Sequence, residues 1–172
     1  MKKNLTLLFC AVLFGAIAQQ ASTKTILLDQ LKRTHNVKDW FVPVNTAVEG
    51  LTGEQATWKD KGGHSVGQLT YHLLFWNERQ LNDFKGTKNA TFSGNNEETF
   101  DKFDQKQWVD IVKRLDQVLT DIEKWIETAS DEQLKKHGGT IANISAHNAY
   151  HTGQIISVRK AQGTWDAEKG VK

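Results

Sequence analysis

Apolar positions recur at steps of three and four over most of the chain, and four stretches carry that pattern clearly. The first runs from about Lys24 to Glu49, where Leu27, Leu31, Thr34, Val37, Phe41, Val44 and Val48 share one helical face. Pro43 interrupts it, because proline removes a backbone donor and crowds the preceding turn; a kink or two helices end to end is expected, with Gly50 as a stop. The second starts at Ser65, a good N-cap, and runs to about Phe84 along Val66, Leu69, Leu73 and Trp76, with Gly86 near its end. The third, Gln105 to Ala129, has the broadest apolar face and reads as scaffold. Ser130 and Gln133 resemble a capping box for one short turn, which Gly138 and Gly139 end. The fourth runs from near Thr140 to near Gly163, with Ile141, Ile144, Asn148, His151, Ile155 and Val158 on its inward stripe. The segment 164–172 reads as a loosely ordered tail, with Trp165 able to dock.

The connections refine this picture. Leu51 to His64 is short, and Thr52 can cap one helical turn within it. Lys85 to Asp104 is polar and about twenty residues long, which is unusual inside a compact domain. Such a length suits a crossover between bundle helices, or a lid, better than a tight hairpin. With 172 residues, one proline and no repeat or linker, the chain reads as a single all-α domain, a four-helix bundle over residues 24–163 with a long crossover between helices two and three.

The N-terminus reads differently. Lys2 and Lys3 precede an apolar run from Leu5 to Ala18, Ala16 and Ala18 form a small-x-small site, and polar Gln19 and Gln20 follow. Residues 1–18 are therefore expected to be a secretory signal peptide, and the mature protein to be exported, into the periplasm. The run is shorter than the roughly 20 residues a spanning helix needs, so no membrane association is expected after cleavage. The only cysteine, Cys10, lies inside this run, so the mature chain would have no thiol nucleophile. Loss of Lys2 and Lys3 also leaves 20 cationic side chains where the full chain has 22, against 20 acidic ones. A near-neutral surface gives no reason to expect nucleic-acid binding.

Chemistry concentrates in the histidines. His147 and His151 stand four apart on the fourth helix, a spacing that stacks side chains on one face about 6 Å apart and lets two imidazoles converge on one ion. Ala142, Ser145, Ala146, Ala149 and Gly153 leave room around them. His72, between Leu69 and Trp76, also points inward from the second helix. A lone buried histidine is ordinarily a hydrogen-bonded core residue; three from two helices, with no fourth ligand evident, suit an open metal shell. His35, His64 and His137 lie near helix ends and read as solvated, although His64 could approach the site. Asn148 and Gln154 could orient ligand imidazoles or be packing and surface residues, Tyr150 flanks the ligands, and Glu78 faces elsewhere. Trp40, Trp58 and Trp165 are free of the core stripes and could rim a pocket.

The segments Gly50-Leu51-Thr52, Ser65-Val66 to His72-Leu73, and His147-Asn148-Ala149-Tyr150-His151-Thr152-Gly153-Gln154-Ile155 resemble those of the DinB-like (YfiT-type) metalloenzymes, from about Lys24 to Gly163. The resemblance implies a four-helix bundle with a crossover between helices two and three, and His72, His147 and His151 as ligands of one divalent ion, zinc or nickel. Some relatives transfer low-molecular-weight thiols such as bacillithiol or mycothiol, and several form homodimers. Those thiol transferases work in the cytosol, whereas this N-terminus reads as exported. The expectation is a metal-dependent hydrolase or thiol S-transferase acting on a small molecule; the alternative is a non-catalytic metal- or ligand-binding bundle. The three histidines by themselves also suit cobalt, copper or ferrous iron.

Overall fold

The computed structural model describes residues 22–171, and all regular structure among them is helical. The expected signal peptide lies outside the described residues. Four long helices form the body: α1 (Thr23–His35), α4 (Val66–Lys85), α6 (Trp108–Thr128) and α7 (Asp131–Gln162). Short helices α2 (Val44–Val48), α3 (Gly53–Thr57) and α5 (Glu98–Asp101) fill the connections. α1 and α4 each pack against both α6 and α7. The seam between them is filled by Leu31, Leu73, Leu119, Ile122, Ile126, Ile141 and Ile155, all buried. No helix among the described residues is long and apolar enough to cross a membrane.

Local chemistry sets most helix ends. Capping boxes start α3 (Thr52 with Gln55), α4 (Ser65 with Gln68) and α7 (Ser130 with Gln133); each satisfies two backbone donors that a helix start leaves unpaired. Gly86 and Gly163 end α4 and α7 in the left-handed region, at φ 68° and 78°, where a side chain would be strained.

Three expectations need correction. The first stretch does divide in two, but α1 stops at His35, well before Pro43, and α2 resumes at Val44. Val37 and Phe41 therefore leave the buried face and are exposed. The fourth helix does not begin at Thr140: α7 runs unbroken from Asp131 through Gly138 and Gly139. Each interior glycine costs about 1 kcal/mol relative to alanine. Here the Ser130 cap, the burial of Leu134 and the packing of Leu27 over Gly138 outweigh that. The long crossover carries one short helix, α5, which packs on α4. The tail is also docked: Arg159 donates to the Thr164 carbonyl, its guanidinium faces the Trp165 ring at 5.4 Å, and Lys169 pairs with Glu49 at 2.7 Å.

Candidate metal centre

His72 stands on the inner face of α4, and His147 and His151 stand one turn apart on α7. One ring nitrogen from each lies within 4.8 Å of the others, a grouping able to hold a metal ion. Nε2 of His72 and Nε2 of His147 are 3.1 Å apart. Imidazole nitrogens that each sit about 2.0–2.1 Å from a shared ion approach one another at about this distance. The helices run antiparallel, because His72 meets His151 while Phe84, toward the end of α4, meets His137 near the start of α7.

The tautomers of two rings follow from their neighbours. Thr99 donates its hydroxyl hydrogen to the Asn96 carbonyl at 2.6 Å, so its oxygen accepts from Nδ1–H of His72 at 2.5 Å. His72 therefore turns the lone pair of Nε2 toward the other two histidines. Gln154 donates from its amide to the Tyr150 hydroxyl and accepts at Oε1 from Nδ1–H of His151, at 2.6 Å. That frees the Nε2 lone pair of His151 in the same way. Fixing the outer nitrogen of a ligand ring sets both its tautomer and its direction.

Electrostatics keep the rings neutral. Burial drives His72 down to about 3, aided by repulsion from His151, His147 and His64. Burial and then His151 bring His147 down to about 4. His151 is lowered as well, with burial outweighing its bond to Gln154. Neutral imidazoles, two of them with lone pairs turned inward, match what a divalent cation requires, since metal binding otherwise has to displace protons.

The triad forms the floor of an open cavity of about 730 Å³. Trp76 and Tyr150 help to line it, whereas Trp40, Trp58 and Trp165 do not. His64 lines it too, its ring stacked at 3.9 Å on Phe100, whose other face covers His72 at 4.0 Å. Asn148 packs the helices together by pairing with Asn77 across α4 and α7 at 2.9 Å. Glu78 binds Arg114 at 2.7 Å, away from the site. His137 stands against Phe84 and Trp125.

Sequence reasoning missed several of these residues. Thr99 and Phe100 sit in the crossover, where nothing local marks them as partners of a histidine 27 residues away. Asn77 carried a signal: it is the polar member of the stripe Leu69, Leu73, Asn77, Leu81. His35 was expected to be solvated, and the structure overturns this. Its ring is fully buried, 2.6 Å from Glu123 and 2.9 Å from Asp116 on α6. Burial opposes its charge, but the bonds to Glu123 and Asp116 together prevail and its pKa is raised. α6 is therefore more than apolar scaffold.

The chain belongs to the DinB superfamily, whose family model matches residues 44–156 and so contains all three histidines. The match starts at the first residue of α2 and leaves α1 outside it. Neither the curated proteins nor the solved structures yield a significant match.

Proposed function

We propose that this protein is a metal-dependent enzyme, a four-helix bundle that holds one divalent ion, zinc or nickel, through His72, His147 and His151. The observation that carries the reading is the convergence of three neutral imidazoles on the floor of an open cavity. A purely structural site would ordinarily be closed by a fourth protein ligand. The cavity leaves space for a small-molecule substrate instead. The buried aliphatic core, with Leu31, Leu119, Ile122 and Ile126 on α1 and α6, supports a fold that persists without metal.

A bound divalent ion supplies Lewis acidity, which brings the pKa of water or a thiol toward neutrality. The chain's own residues do the rest. Thr99 and Gln154 aim the rings of His72 and His151. Phe100 covers one face of His72 and keeps water from it. Both hydrolysis and thiol S-transfer are compatible with this arrangement. The export signal read in residues 1–18 would place the protein in the periplasm, and family resemblance suggests a homodimer.

Elemental mass spectrometry of the purified protein tests the reading, compared with a variant carrying His72→Ala, His147→Ala and His151→Ala. About one zinc or nickel per chain is expected, lost in the variant while helical circular dichroism persists. No metal in either protein would make the triad ordinary core residues. Metal loss accompanied by unfolding would point to a structural ion.

A further inference from the structure

The walls of the triad cavity carry a chemical pattern of their own. Beyond the imidazoles, Glu97 is the one carboxylate that lines it, and no Lys or Arg does among the described residues. Opposite walls supply carboxamides. Gln80 lies eight residues after His72 on α4, and Asn143 eight residues before His151 on α7. Because the helices are antiparallel, both amides rise to the same end of the cavity. At 1.5 Å per helical residue Gln80 stands about 12 Å along α4 from His72, and Asn143 about 6 Å along α7 from His147. Neither makes a hydrogen bond to another described residue, so their donors and acceptors are available. Asn96 adds a third amide at the rim, with its carbonyl engaged by Trp76 Nε1 and its NH₂ unspent.

We propose that this cavity takes an uncharged, hydrogen-bonding small molecule that reaches from the ion at the floor to the carboxamides of Gln80 and Asn143, and that it disfavours molecules ending in an anion. The inference rests on the metal reading above. An anionic tail would find no Lys or Arg to pair with and would lie in a cleft whose wall carries the Glu97 carboxylate. Amide or hydroxyl groups at that end would find donors and acceptors of both kinds, while Trp76 and Ile144 offer apolar surface along the way. Thiols that carry carboxylates fit this cavity poorly, which favours hydrolysis of a neutral amide- or hydroxyl-bearing compound over transfer of such a thiol.

The test uses the zinc-loaded full chain and three straight-chain hydroxamates with six methylenes, ending in a carboxamide, a carboxylate or an ammonium. Affinities are read by calorimetry after zinc content is verified. The carboxamide probe is expected to bind about fivefold or more tightly than the carboxylate probe, as like charges across a cleft disfavour a ligand. Glu97→Lys is expected to narrow or reverse that ratio. The double variant Gln80→Leu, Asn143→Leu is expected to weaken the carboxamide probe severalfold with zinc content unchanged. A carboxylate or ammonium probe that equals or beats the carboxamide in the unaltered protein overturns the substrate class. So does a double variant that binds the carboxamide probe as well as the parent. Failure to hold zinc at all overturns the metal reading instead, and is seen before any probe is added.

Discussion

Replacing Thr99 by valine removes one hydroxyl and leaves the shape of a buried side chain nearly unchanged. Thr99 is 1% exposed and joins two partners: it accepts from Nδ1–H of His72 at 2.5 Å and donates to the Asn96 carbonyl at 2.6 Å. In the variant the His72 ring loses the bond that fixes its tautomer and direction. Loss of such an orienting partner typically weakens metal binding 10- to 100-fold, which corresponds to about 1.4–2.7 kcal/mol. The fold should survive. Leaving a buried donor unpaired costs about 1–3 kcal/mol, against a stability of about 5–15 kcal/mol for a typical domain. The assay is competition for zinc against a chromophoric chelator, with circular dichroism as the control for folding. Thr99→Ser restores the hydroxyl and is expected to recover most of the affinity. A folded Thr99→Val protein that binds zinc within twofold of the parent would refute the argument that the crossover positions the ligand.

Three further outcomes follow from other parts of the molecule. The pH dependence of metal-free stability should have two limbs. His72 and His147 are depressed to about 3 and about 4, so the unfolded chain binds protons first, and stability falls as pH drops below 6.5 toward those values. His35 is raised above 6.5, so the stability it adds is present below that pH and declines as pH rises through its folded pKa. Urea titrations across this range should show both limbs, with the triple histidine variant flattening the acid limb and Glu123→Gln the alkaline one. Gly53→Ala should destabilise the protein by about 1–3 kcal/mol, because the added methyl would press on the backbone carbonyl of Gln105; an unchanged thermal midpoint would contradict this. Arg159→Met should cost about 1–3 kcal/mol, because it leaves buried carbonyls unpaired, and shift tryptophan emission to the red. The guanidinium donates to the Ala47, Glu49 and Thr164 carbonyls and faces Trp165, so an unshifted spectrum would show that the tail docks without it.

Particular residues show how far local pattern reaches. The starts of α3, α4 and α7 are written in Thr52–Gln55, Ser65–Gln68 and Ser130–Gln133, because a capping box involves groups only three residues apart. The ends at Gly86 and Gly163 are local for the same reason. His147 and His151 face one way because helical geometry puts them there, and His72 faces inward because Leu69 and Leu73 do. These features made an all-helical reading and the triad visible from the chain alone.

What tertiary structure decided lies at longer range. Glycines at 138 and 139 argue for a helix break until α1 packs over Gly138, since a local cost of about 1 kcal/mol each yields to burial of Leu134 and Leu27. His35 looks like an exposed helix end until α6 brings Glu123 and Asp116 against it from 88 and 81 residues away. Thr99 and Phe100 acquire their roles only when the crossover folds back over α4. The sequence by itself determined which side chains share a helical face, because that depends on a period of 3.6 residues. The structure alone determined which faces meet, because that depends on how the helices bury their apolar stripes together.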